Sequence, residues 1–260
     1  MSVARFLRSL VPAPVKRGVK NALGLPQTRL HPDWAILRPV GPVVHAHVVL
    51  DVGAHHGWFF HCWQDWCPAA RVHAFEPYPE SFAAMSAEYG RDPRVTLNAV
   101  GVGSAPGRMP LRVMADSKVS NSFLPHRPQA WDEVRFRTGA ISQVDVPVTT
   151  LDDYCASAKI QSVYLLKIDV QGFELEVLRG AGATLPRVDH VLVESAIRPL
   201  YEGAARFTEV VDFMRDAGFH LMAMRQWHRG NHVLMETDML FRRDGLAPPV
   251  DESIERVVEQ

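Results

Sequence analysis

Short, largely apolar runs recur along this chain, and most are followed by a stretch whose apolar residues come every three or four positions. Val48-Val49-Leu50 precedes a helical pattern over Trp58–Trp66, and Arg71–Phe75 precedes one over Pro79–Tyr89, with Pro79 or Ser81 near its start. Val163–Ile168 leads into Phe173–Arg179, which Gly180 can cap, and Val188–Glu194 precedes Phe207–Ala217, ending at Gly218. Val95–Val102 and Met109–Val113 read as further strands, and Phe219–Met224 and Met239–Arg242 as the last two. A strand with no polar alternation must be covered on both faces, which means a parallel sheet between layers of helices. The expected fold class is α/β, a doubly wound Rossmann-like sheet.

The first 45 residues read differently. Arg5, Arg8, Lys16, Arg17, Lys20 and Arg29 all precede the first acid, Asp33, and Val3, Phe6, Leu7 and Leu10 can share a helical face before Pro12 and Pro14 interrupt it. Such an arm either packs on the flank of the domain, the favoured expectation, or makes a weak contact with anionic lipid or a partner. The domain is expected over 46–245, with an insertion at 114–146, a polar-aromatic connector at 225–237 and a tail at 246–260.

Composition closes off several function classes. With 28 Lys+Arg against 29 Asp+Glu the net charge is −1, so no nucleic-acid partner is expected. Cys62, Cys67 and Cys155 cannot form a disulfide framework, and the Cys62/Cys67 pair has no second pair to complete a structural zinc site. The twelve histidines are scattered, without an HExxH. No apolar run approaches the ~20 residues of a membrane span, and Arg5 and Arg8 spoil the start as a signal peptide. A cytoplasmic location is expected; the oligomeric state is not legible.

The first strand ends in Asp51-Val52-Gly53-Ala54-His55-His56-Gly57, and the second ends at Glu76-Pro77, 25 positions after Asp51. In an open α/β sheet ligands bind at the carboxyl ends of the strands. Glycines there let the backbone approach a ligand, and an acid at the next tip can accept hydrogen bonds from ribose hydroxyls. A dinucleotide wants GxGxxG for its pyrophosphate and ATP wants GxxxxGK[ST], and neither is present. S-adenosylmethionine (SAM), which carries no phosphate, fits this pattern best. The expected cofactor-binding residues are Asp51, Gly53, Ala54, His55, Gly57, Glu76, Pro77, Asn98 and Asp169.

Six segments in order, DVGAHHGWFF, HAFEPYPESFAAM, VTLNAVGVGSAPG, VTTLDDYC, YLLKIDVQGFELEVLRGA and VLVES, resemble the successive motifs of the FkbM family of SAM-dependent methyltransferases over about residues 48–242. The resemblance implies a class I methyltransferase fold of seven strands with the last antiparallel. It also implies, as the usual reaction, O-methylation of a hydroxyl on a glycan or other small metabolite. The family more often has Glu where Gln171 stands, and Asn-Ile or similar in place of His55-His56.

Asp169 ends a buried strand where the methyl group would lie, although it could also cap the helix that follows. Lys167 shares its face and, if buried, needs a carboxylate, for which Glu174 and Glu194 are the expected partners. The expected catalytic residues are Asp169, Lys167, Glu194 and His56, with His55 an alternative base. Asn121, Ser122, His126, Arg127, Trp131, Trp227, His228 and His232 are candidates for the acceptor pocket. No metal is expected, because Asp169 and Glu194 alone are too few ligands for Mg²⁺. N-methylation on the same fold, or a non-catalytic SAM-fold partner protein, are the alternative functions.

Overall fold

A computed structural model describes residues 30–41, 43, 45–117, 120–128, 130, 139–229 and 233–246. The expectation of a lipid- or partner-facing arm falls on residues 1–29, and the tail almost entirely on 247–260, outside the described residues.

A kinked 3-10 helix, Pro32–Val40, comes first, with Pro32 in its first turn and the His31 ring accepting the Asp33 N–H. It is followed by β1 (His47–Val52), α1 (Trp58–Trp66), β2 (Ala70–Phe75), α2 (Pro79–Tyr89), β3 (Val95–Asn98), β4 (Gly101–Val102) and β5 (Gly107–Met114). Then come β6 (Ile141–Thr149), α3 (Leu151–Ser157), β7 (Val163–Ile168), α4 (Glu174–Arg179), β8 (Val188–Ala196), α5 (Phe207–Asp216), β9 (Phe219–Arg229) and β10 (Val233–Arg243).

Seven strands form one sheet in the order β3-β2-β1-β7-β8-β10-β9. The pairs from β3 to β8 are parallel, while β10 runs antiparallel to both β8 and β9. This is the expected doubly wound α/β sheet with an antiparallel last strand. The continuous apolar runs have the reason given above: adjacent residues are buried on opposite faces. Leu50 and Leu166 pack with α3, α4 and α5 on one side, whereas Val49 and Leu165 pack with α1, α2 and the 3-10 helix on the other. Leu30, Ile36, Leu37, Val40 and Val43 belong to that second layer. Among the described residues no helix is long and apolar enough to cross a membrane.

Three sequence expectations change, and one helix is added. Val95–Val102 is not one strand: the chain bends after Asn98, and Gly101-Val102 pairs instead with Val148-Thr149 in a second sheet, β4-β6-β5. The expected insertion is shorter, because Ile141–Thr149 is a strand antiparallel to β5, and Leu111, Val113, Val146 and Val148 of that pair bury against Phe123 and Phe173. Residues 225–229 and 233–237 are arms of the β9–β10 pair rather than a connector, with β9 at the edge of the sheet. Helix α3, hidden by its short length, is announced by Thr150, whose Oγ1 accepts the Asp153 N–H at 3.0 Å.

Candidate active site

A cleft of about 250 Å³ opens at the carboxyl ends of β1, β2 and β7 and is roofed by β4, β5 and the 121–123 segment. The Gly53 turn forms its floor. Gly53 has φ +76, and a Cβ there would lie 1.9 Å from the Asp169 main-chain oxygen, so only glycine fits between β1 and β7. The N–H groups of Gly53 and Ala54 both donate to the Phe75 oxygen at 3.0 Å, and that of His55 donates to Glu76 Oε2 at 2.8 Å. Three successive amides are thereby committed within the protein.

Glu76, 7% exposed, is fixed at both oxygens, since Oε1 also accepts the Tyr78 N–H at 2.8 Å. Burial pushes its carboxyl up to about 7 against the opposing pull of those two N–H donors. Pro77 lines the cleft beside it. Asn98 does not line it: its amide donates to the Ala74 oxygen and to the Tyr154 hydroxyl, and its main-chain oxygen receives the Glu76 N–H. Gly57, at φ +82, caps the start of α1, where a Cβ would meet the Phe60 ring at 2.5 Å.

Asp51 is fully buried below the cleft rather than on its wall. The parallel register sets it beside Lys167, whose ammonium lies 3.2 Å from Asp51 Oδ1, donates to the Gly53 oxygen at 2.8 Å and stands 3.6 Å from Asp169 Oδ2. Glu174 and Glu194 are therefore not the close ion-pair partners of Lys167, because neighbouring parallel strands deliver Asp51 first. Burial works against the charge of Lys167, but Asp51, Asp169 and Glu194 hold its pKa above the usual lysine range. Burial raises the Asp51 carboxyl, and Lys167 opposes the shift.

Asp169 lines the cleft with its side chain 35% exposed, and its Oδ1 accepts from Gln171 Nε2 at 3.1 Å. It does not cap α4. Glu174, the first residue of α4, instead holds the turn before it: buried and pushed up to about 7 by that burial, it accepts the N–H groups of Val170 and Gly172 through Oε1. Glu194 stands behind Gln171 and lies off the cleft wall, with its carboxyl raised well above the usual range by burial and by neighbouring acids, Asp169 foremost.

His55 lines the cleft at φ +50, a left-handed conformation, and its Nε2 is buried without a partner. Burial, and then His56, lower its pKa to about 4, so the ring is neutral at pH 7. The His56 ring stacks on it at 3.8 Å but is exposed and not part of the wall.

Of the acceptor-pocket candidates, Asn121 and Ser122 line the cleft. His126 is buried against Tyr201, and Arg127 reaches the Pro199 oxygen, both away from it. Trp131 and His232 lie outside the described residues, while Trp227 and His228 fall in β9. Sequence reasoning missed Trp34, Trp58 and Phe123 on the wall, and noted Gln171 only as a departure from the family pattern. A usable signal existed for Trp34 in the Pro-Asp-Trp helix start, and for Gln171 in its place between the strand-end acid and Gly172.

A family model described as the methyltransferase FkbM domain matches residues 51–221. The 2-O-methyltransferase NoeI of Sinorhizobium fredii is 30% identical over 207 residues, covering 76% of this chain and 80% of that protein. The 31-O-demethyl-FK506 methyltransferase FkbM of Streptomyces tacrolimicus is 29% identical over 199 residues, covering 68% and 74%. The hexuronic acid methyltransferase AglP of Haloferax volcanii is 26% identical over 157 residues, covering 58% and 60%. The matched span runs from the Asp51 turn past the β7 and β8 tips, through the segments that build the cleft, and the chain belongs to the FkbM family of methyltransferases.

Proposed function

We propose that this chain is a SAM-dependent O-methyltransferase acting on a hydroxyl of a small metabolite or glycan. The observation that carries the reading is the commitment of the Gly53, Ala54 and His55 amides to Phe75 and Glu76. A pyrophosphate would need those N–H groups free. A nucleoside without phosphate needs only the Glu76 carboxylate for its ribose and a floor with no side chain at Gly53, and both are present. When bound, SAM supplies a methyl carbon made electrophilic by its sulfonium.

The chain's own residues then have separate tasks. Glu76 and Pro77 hold the nucleoside. Lys167 ties the Gly53 turn to Asp51 and Asp169, which keeps two strand tips in fixed relation. Asp169 takes the proton of the acceptor hydroxyl as the new C–O bond forms. Most of the acceleration comes from alignment of the acceptor oxygen with the methyl group. Trp34, together with Trp58 at 46% exposure, offers flat apolar faces at the cleft suited to the CH-lined face of a sugar ring. The relatives named 2-O-methyltransferase and 31-O-demethyl-FK506 methyltransferase favour oxygen over nitrogen as the acceptor atom. The buried free thiols Cys62, Cys67 and Cys155 suit a reducing, cytoplasmic setting.

Calorimetry tests the cofactor. SAM and S-adenosylhomocysteine (SAH) are expected to bind, and NADH to bind far more weakly. NADH binding tighter than SAM overturns the reading.

A further inference from the structure

Gln171 is bonded on every side. It stands at φ +55, a left-handed backbone that residues other than glycine rarely adopt. Its single amide nitrogen donates to Asp169 Oδ1 at 3.1 Å and to Glu194 Oε2 at 3.0 Å. Its Oε1 lies 2.9 Å from the Tyr201 hydroxyl, and its main-chain oxygen receives the Ser122 hydroxyl at 2.7 Å. An amide nitrogen has two N–H bonds, so it serves two carboxylates at once. The reverse orientation would press Oε1 against both acids, which fixes which way the amide faces.

We propose that Gln171 is a positioning residue: its amide nitrogen aims the Asp169 carboxylate into the cleft and donates to it and to Glu194 at once, so that removing this donor changes the proton affinity of Asp169. The proposal rests on the reading of Asp169 as the proton acceptor. The groups facing Asp169 make a donor necessary. Lys167 on its own strand is the nearby cation, and it is shared with Asp51 on β1. Against it stand Glu194 on β8 and Glu174 on α4, with Glu236 and Asp238 on β10 acting on Glu194, while His55 across the cleft is neutral. Asp238 is paired with Arg225. In such an acidic corner, a neutral side chain donating to two carboxylates favours their charged forms without adding a charge of its own. The contacts to Ser122 and Tyr201 lock it to the acceptor side of the cleft.

The test uses the full-length chain with SAH, its aspartate carboxyl carbons labelled with ¹³C and followed by NMR against pH. The Asp169 signal is identified by its loss in Asp169→Asn. Gln171→Met keeps the length and removes the donor; Gln171→Glu keeps the shape and adds an acid. The expected result is that Asp169 takes up its proton at a pH higher by about one unit in Gln171→Met, a tenfold change in proton affinity, and by more in Gln171→Glu. A purely structural Gln171 would lower the melting temperature of Gln171→Met and leave its midpoint where it is, whereas Gln171→Glu, whose added charge raises the midpoint in either case, shows that the signal responds. An unmoved midpoint in folded Gln171→Met therefore overturns the proposal, and if Gln171→Met does not fold, Gln171→Leu, which also removes the donor and adds no charge, decides. SAH affinity of the wild-type chain, measured in the same samples, tests the cofactor reading separately.

Discussion

Glu76 gives the most quantitative handle on the site. Its carboxyl is raised to about 7 by burial, and ribose hydroxyls need the ionised form as acceptor. A ligand that binds only the deprotonated protein has its apparent Kd multiplied by 1 + 10^(7 − pH), which is about 1.1 at pH 8, about 2 at pH 7 and about 11 at pH 6. The direction follows from the raised value: affinity is complete above pH 8 and is lost as pH falls through 7. SAH should therefore bind about tenfold more weakly at pH 6 than at pH 8, equivalent to about 1.4 kcal/mol. His55, lowered to about 4, stays neutral across this window and adds no slope. Glu76→Gln removes the charge and keeps the shape; it should weaken SAH binding by about 1.5–3 kcal/mol at pH 8, the size of a lost charge-assisted hydrogen bond. The variant's affinity should also be flat between pH 6 and 8. Isothermal titration at four pH values reads both effects. A wild-type affinity that does not change with pH, or a slope that survives in Glu76→Gln, refutes the reasoning.

Other perturbations separate floor, support and chemistry. Gly53→Ala forces a Cβ onto the Asp169 oxygen, so SAH binding should be abolished; Gly203→Ala, at nearly the same φ but with nothing within 4 Å, should cost only about 1–2 kcal/mol, and equal effects on thermal melting would contradict the close approach. Asp51→Ala leaves the Lys167 ammonium without its buried partner and should destabilise by about 3–5 kcal/mol in urea unfolding; a loss under 1 kcal/mol, by the same scale, would mean the pair is not structural. Asp169→Asn should lower kcat about a hundredfold or more, read as SAH release on an acceptor found by screening hydroxylated compounds, with the melting temperature nearly unchanged. Glu174→Ala should show the opposite pattern, a lower melting temperature first, because Glu174 holds the turn into α4.

Much of the fold was legible because the code for it is local. The runs Val48–Leu50, Val163–Ile168 and Val188–Glu194 contain no polar alternation, and a strand of that kind has few places to go other than the middle of a two-sided sheet. The Gly53 turn and Glu76 could be placed at adjacent strand tips for the same reason: each closes its own strand. Errors arose where a local pattern was interrupted by a non-local pairing. Val95–Val102 reads as one strand, yet the bend after Asn98 sends Gly101-Val102 to a second sheet; Val144, Val146 and Val148 alternate within Ile141–Thr149, but Pro147 among them argues against a strand until β5 pairs with it.

By itself, then, the sequence determined the layered sheet, the strand-end turn and the acid that suits a ribose, since side-chain period and strand length report burial directly. Only the tertiary structure decided which charges meet. Lys167 is bound to Asp51 as well as to its sequence neighbour Asp169, and not to Glu174 or Glu194, because the register of two parallel strands sets Asp51 beside it. Gln171 reaches Asp169, Glu194 and Tyr201 together because a left-handed turn aims it there. Trp34 joins the cleft wall because the 3-10 helix packs across the α1 face. Hydrophobic periodicity records how deep a residue lies but not which distant group it will find there, and the chemistry of the site depends on the second.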